Sequence, residues 1–146
     1  DGANDIEIEL LDGTDIEVIS VQYSDDIDCG IITVEPADVN CVRIGTTDFL
    51  EVGDEIVIVG CPLGSDLNYT VTTGIVSGLD RDLQPLGEDL LQSDAQSWPG
   101  NSGGGVYGPT GRLIGLLIGG YGGYDGISII IPIEDCVEYM DEIGVR

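Results

Sequence analysis

No stretch before residue 132 carries a helical period. Apolar residues instead alternate in short runs, and Gly, Pro, Asn or Asp breaks nearly every one of them. DIEIEL (5–10) and DIEVISVQY (15–23) alternate cleanly, and the Asp-Gly of LDGT (11–14) between them marks a tight hairpin. Further strands are expected over 29–35, 40–44, 55–60, 69–78, 104–107, 112–119 and 126–131. Only 132–145 looks helical: Pro132 and the early acids Glu134 and Asp135 suit a helix N-terminus, and Ile133, Val137, Met140 and Ile143 form one apolar stripe. Many short strands with turns between them and one terminal helix indicate an all-β barrel or sandwich. No linker or composition break separates independent domains, although two packed barrels within one fold stay open.

Apolar content of 42% over 146 residues supports a folded core rather than disorder. The net charge is −24, and all four basic residues are arginines. Four scattered arginines make no basic patch, which excludes nucleic acid and disfavours an anionic membrane. Such a surface suits high salt, where repulsion between carboxylates is screened, so a saline source is the preferred reading over an ordinary acidic exported protein. YSDDID (23–28) lacks the EF-hand spacing of a Ca²⁺ loop and reads as a solvated acidic face. No apolar run is long enough to cross a bilayer, so no membrane insertion is expected, and DGANDIEIEL lacks the marks of a signal peptide. The opening reads like the middle of a longer chain. Cys29, Cys41, Cys61 and Cys136 form no CxxC pair, and without histidine a Cys/His zinc site is impossible; neither metal nor cofactor is expected. Buried thiols and two disulfides, Cys29 with Cys41 across the EPAD turn and Cys61 with Cys136, stand as alternatives; the disulfides would fit an exported location. NYT (68–70) matches a glycosylation sequon of little weight.

SWPGNSGGGVYG (97–108) sets Ser102 in a run of glycines, which suggests a nucleophile on a strained turn with backbone N–H groups aimed at an oxyanion. Gly100 to Gly104 formally satisfies the G-x-S-x-G nucleophile elbow. That elbow needs a helix after the serine and a histidine further on, and the chain has neither.

QSDAQSWPGNSGGGVYGPTGRLIGLLIGG (92–120) resembles the active-site region of chymotrypsin-fold serine proteases, most closely the HtrA/Deg branch. EVGDEIVIVGCPLG (51–64), TVTTGIVSGLDRDL (70–83) and GISIIIPIEDC (126–136) resemble further segments of that family in the same order. The resemblance covers nearly the whole chain. It implies a double β-barrel of chymotrypsin type with a C-terminal α-helix: 1–60 as the remainder of an incomplete first barrel, 61–131 as the second barrel and 132–146 as the helix. It also implies a catalytic order of histidine, aspartate, serine, with the histidine a few residues before Asp1-Gly2-Ala3. The chain is then a fragment lacking that residue and inactive by itself; the alternative is an inactive relative.

By resemblance, Ser102 is the acyl-forming nucleophile of an endopeptidase acting on polypeptide. The oxyanion hole is the turn Gly100-Asn101-Ser102, through the N–H groups of Gly100 and Ser102. Asp28, which opens the strand DCGIITV, is the aspartate that orients the histidine, with Asp26 on the same strand face as the fallback. The family also implies that Gln96 and Ser97 form the wall and base of the primary pocket, that Ile118-Gly119-Gly120 pairs with substrate backbone, and that Gly126 lines the opposite wall. With no acid at Gln96, uncharged side chains are expected before the scissile bond. Trp98 shapes the site or simply packs. Gly105, where the family often has proline, and Cys29 depart from its pattern. A peptide-binding pseudoprotease and a structural assembly module are the competing readings, and the missing N-terminal segment is itself an expected partner. An extracellular, periplasmic or cell-surface location follows from the same resemblance.

Overall fold

The computed structural model describes residues 6–63 and 67–145. Asp1-Gly2-Ala3, Asp5 of the first expected strand, Gly64 and Arg146 lie outside the described residues. The chain divides into two compact units, Asp1–Cys41 and Val42–Arg146.

In the first unit, β1 (Ile8–Glu9) pairs antiparallel with β2 (Asp15–Ile16). The Asp-Gly turn forms as the sequence implies. Leu10 N–H donates to Thr14 at 2.8 Å, Gly13 takes φ +82°, and the Asp12 carboxylate accepts the Thr14 N–H at 3.0 Å. Hydrogen bonds from Thr14 hold the Asp12 carboxyl below the usual carboxylate range. The strand expected over 15–23 is interrupted at Glu17, and β3 (Val18–Tyr23) pairs with β4 (Gly30–Val34) across a bulge between Val18 and Ser20. Cys29 is the one buried apolar side chain among the described residues of this unit, while Leu11, Ile19, Tyr23 and Ile32 stay exposed.

Residues 40–44 form no strand; Ile44 makes only an isolated parallel bridge to Leu113. No disulfide forms among the described cysteines: Cys29 and Cys136 are buried, Cys41 and Cys61 exposed. The first expected pairing fails because β4 takes β3 as its partner, which sets Cys29 beside Ser24 (Ser24 N–H to the Cys29 carbonyl, 3.0 Å) rather than beside residue 41.

The second unit is a closed antiparallel barrel. Its staves are β5 (Glu55–Gly60), β6 (Thr70–Leu83), β7 (Gly87–Ser93), β8 (Gly105–Tyr107), β9 (Leu113–Gly120) and β10 (Ser128–Pro132), ordered β10-β7-β6-β5-β8-β9. The expected boundary at residue 60 is therefore displaced, because β5 pairs with β6 and β8 and is a stave of this barrel. Ile56 and Ile58 alternate inward from β5 to meet Val76, Leu91, Val106, Ile114, Leu117 and Ile130 in one core. Every residue of β10 is buried, because helix α1 (Ile133–Glu142) packs on β9 and β10 outside the barrel while the other face of β10 looks into the core. That double cover explains the unalternated Ile129-Ile130-Ile131.

Strand β7 has no counterpart among the expected strands. Leu90 and Leu91 are adjacent and both buried, and Asp89 has φ +53°, so the local irregularity erases the period of two. Pro132 is the last residue of β10 and the N-cap of α1 rather than its first helical residue. The helix stops in a Schellman motif: Gly144 takes φ +72°, Val145 N–H reaches the Met140 carbonyl at 2.9 Å and Gly144 N–H the Asp141 carbonyl at 3.1 Å.

Candidate active site

The segment between β7 and β8 folds as consecutive tight turns. Asn101 N–H donates to the Trp98 carbonyl at 3.0 Å and Gly104 N–H to the Asn101 carbonyl at 2.9 Å. Gly100 has φ +98°, and a Cβ there would stand 2.7 Å from the Cys61 carbonyl oxygen. Glycine is thus required by backbone conformation and by the close approach of residues 61–63, which are clamped further by Leu63 N–H on the Pro99 carbonyl at 2.8 Å.

This turn sorts its N–H groups. Asn101 N–H is held by Trp98, and Gly103 N–H by the Leu117 carbonyl at 2.8 Å. The N–H groups of Gly100 and Ser102 donate to no other described residue. Asn101, expected within the oxyanion turn, therefore offers no backbone donor. Its side chain is buried, with Oδ1 unpartnered among the described residues and only 2.7 Å from where a Cβ on Gly60 would lie.

Ser102 is exposed, and its Oγ donates to the Ile118 carbonyl at 2.6 Å. Gly119 has φ +153°, and a Cβ on it would come 3.6 Å from Ser102 Oγ. Pairing of β8 with β9 ends at Leu116, and Leu117 is held by Gly103 and Gly104. From Ile118 to Gly120, β9 keeps β10 on one side while its other edge carries only the Ser102 hydroxyl among the described residues. An unpaired edge of this kind accepts an added strand.

Ser97 lies beside this edge: its Oγ is 2.8 Å from Ser128 Oγ and 3.8 Å from a Cβ built on Gly120. Ser128 is buried and donates its single hydrogen to the Ala95 carbonyl at 2.8 Å, so its Oγ accepts a hydrogen bond from the Ser97 hydroxyl. Sequence reasoning passed over Ser128, although a lone hydroxyl inside the apolar run ISIII is the signal that marks it. Gln96 is exposed, with its carbonyl fixed by Thr72 Oγ1 at 2.9 Å. Gly126 has φ +76° with open space where a side chain would stand. Trp98 is 41% exposed, so tight packing is not its role.

Asp28 and Asp26 belong to the first unit, in the bend between β3 and β4. The sequence reading placed them on one face of a strand; both lie outside the strands and are exposed. The bend is held by Ser24, whose Oγ accepts the N–H groups of Asp26 and Ile27 at 3.2 and 3.3 Å, and this keeps both aspartates off the β4 ladder.

An antiparallel barrel with a glycine-bounded serine turn beside an open strand edge is the arrangement of a trypsin-like peptidase. The chain belongs to the trypsin-like peptidase domain family, whose model matches residues 1–116. Within that family, HtrA- and DegP-like proteins match most of the chain. It is 32% identical over 146 residues to the "probable periplasmic serine endoprotease DegP-like" of Hahella chejuensis, covering 97% of this chain and 31% of the relative. It is also 32% identical to the "serine protease Do-like HtrA" of Bacillus subtilis, covering 98% of this chain and 34% of that protein. The solved structure of the "HtrA-type protease AlgW with decapeptide" superposes with a TM-score of 0.88 at 32% identity, over 97% of this chain and 45% of that one. The chain thus spans about a third of the length of these curated relatives.

Proposed function

We propose that this chain is the serine-bearing part of an HtrA-like endopeptidase. Ser102 Oγ attacks the carbonyl carbon of a peptide bond, and its proton passes to a histidine supplied by residues that precede Asp1. The N–H groups of Gly100 and Ser102 hold the developing oxyanion, the histidine returns the proton to the leaving amine, and water then cleaves the acyl-serine ester. The observation that carries this reading is the pair of undonated N–H groups flanking Asn101 on the turn that presents Ser102. Asp28 orients the histidine and stabilises its cation, with Asp26 as the fallback.

Substrate lies along Ile118-Gly119-Gly120, and its backbone displaces the Ser102 hydroxyl from the Ile118 carbonyl, which frees the nucleophile towards its base. Ser97 and Ser128 give the primary pocket a hydroxyl floor, with Gln96 and Gly126 at its walls, so small or medium uncharged side chains precede the scissile bond. A polypeptide is the substrate, as the peptide-bound HtrA neighbour suggests. The names of the DegP-like relatives support a periplasmic or extracellular site of action.

The bond from Ser102 to a main-chain carbonyl favours a second reading, a pseudoprotease that holds peptide without cutting it. A fluorophosphonate probe applied to the protein extended upstream of Asp1 decides between them. The endopeptidase reading expects labelling at Ser102 that Ser102→Ala abolishes. No labelling of a folded, peptide-binding protein favours the pseudoprotease.

A further inference from the structure

One buried hydroxyl stands beside the unpaired edge of β9. Ser128 is 1% exposed within an apolar run, and its backbone is in register with Ser93 of β7 on one side and Gly120 of β9 on the other. A hydroxyl in such a place is costly unless its hydrogen finds an acceptor. It finds the Ala95 carbonyl at 2.8 Å. Ala95 is itself held: it is buried, its N–H donates to Ser93 Oγ at 3.0 Å, and the next carbonyl, of Gln96, accepts Thr72 Oγ1 at 2.9 Å. Ser128 therefore has no hydrogen left for Ser97, and the 2.8 Å contact between the two hydroxyls runs one way, with Ser97 donating. Ser97 is half-buried, and its Oγ accepts from no described residue. That oxygen lies 3.8 Å from a Cβ built on Gly120, as Ser102 Oγ lies 3.6 Å from one on Gly119. Adjacent residues of one strand edge thus stand against the nucleophile and against an oxygen whose proton is already committed elsewhere.

We propose that Ser128 is a positioning residue that makes Ser97 a fixed hydrogen-bond acceptor, so that the primary pocket selects threonine or serine before the scissile bond over an alkyl side chain of the same shape. The place of the pocket rests on the endopeptidase reading; the hydroxyl preference within it comes from the Ser97–Ser128 pair. An acceptor that cannot turn its proton outward pairs with a hydroxyl that donates, and its lone pair goes unmet against an alkyl group. An ether oxygen is also excluded, because lone pair then faces lone pair. A freely rotating serine would discriminate against neither oxygen, since it can accept from the hydroxyl and donate to the ether. Ser128 is buried and touches no substrate. It acts by holding the proton of Ser97.

The test compares peptides that differ only at the residue before the scissile bond. They are measured on the upstream-extended protein by kcat/KM, and on its Ser102→Ala form by Kd, which reads recognition without turnover. Threonine against valine tests for a donor; O-methylserine against norvaline, again a pair of one shape, tests for an acceptor. With Ser97 and Ser128 both present, threonine should be favoured over valine by about tenfold, and O-methylserine disfavoured against norvaline by about as much. Ser128→Ala releases the Ser97 proton, and O-methylserine should then overtake norvaline by about threefold. Ser97→Ala should bring threonine and valine to within about twofold of each other. Each value is a ratio within one protein, so a variant that folds only in part still reports it. Preferences that Ser128→Ala leaves unchanged would overturn the positioning role. Valine equal to or better than threonine before any substitution, or no binding of any of these peptides, would overturn the fixed acceptor. Failure of the endopeptidase reading looks different: a fluorophosphonate leaves Ser102 unlabelled and turnover is absent, while the Kd ratios still decide the role of Ser128.

Discussion

Residues 6–41 and residues 42–145 use the same kind of sequence with different results. Both are built from short alternating strands, yet the first unit buries one apolar side chain among its described residues and the second closes a barrel around a continuous core. The difference is one of partners. Each pair in the first unit is a two-stranded sheet, which is marginal in water by itself, whereas every stave of the barrel has a neighbour on both sides. Alternation tells a strand which face to bury, but only a second layer gives that face something to bury against. Ile19 on β3 and Ile32 on β4 are exposed, with no second layer over them among the described residues.

The largest effect expected from this contrast concerns chemistry rather than stability. If the exposed bend of the first unit supplies the orienting carboxylate, Asp28→Asn in the upstream-extended protein should lower kcat by about 10⁴-fold. Asp26→Asn should change it by no more than about twofold on the same scale. Steady-state hydrolysis of a peptide substrate measures both; equal, small losses would leave the first unit without a catalytic role. In stability, Ile58→Ala in the barrel core should cost about 2–5 kcal/mol in denaturant unfolding, against about 0.5 kcal/mol or less for Ile32→Ala on β4. Comparable values would mean that the first unit has a core of its own.

The smallest effect is a pH dependence at α1. Asp135 gains from the helix N-terminus, but burial and the neighbouring Asp89, Glu134 and Glu138 outweigh that gain and raise its pKa above the ordinary 3.8. The folded state therefore binds the proton more tightly than the unfolded state. The stability it contributes is full below the ordinary value and is lost as pH rises through the folded value. Asp135→Asn should make the protein more stable at neutral pH and flatten the stability profile just above pH 3.8, as thermal unfolding across that range would show.

What the sequence disclosed follows the range of each interaction. The Asp-Gly turn at 12–13, the inward alternation of Ile56 and Ile58 and the helix after Pro132 are local, and all three were legible. The place of β5 was not, because its second partner β8 lies some fifty residues away and alternation names a face rather than a neighbour. Strand β7 was hidden by the irregularity at Asp89, and the hydroxyl pair of Ser97 and Ser128 by a separation of 31 residues. At the serine turn the family resemblance singles out the N–H groups of Gly100 and Ser102, while the withdrawal of the Asn101 N–H towards Trp98 appears only in the folded turn.

In the proposed mechanism the barrel presents the oxyanion turn and the nucleophile, and the base comes from residues before Asp1. Fluorophosphonate labelling rates should be compared for the 146-residue chain and for the same chain extended upstream through the expected histidine. Ser102 should be labelled in the extended protein and essentially not in the 146-residue chain, with the barrel folded in both. Equal labelling of the two would contradict it, because Ser102 would then be activated without any histidine.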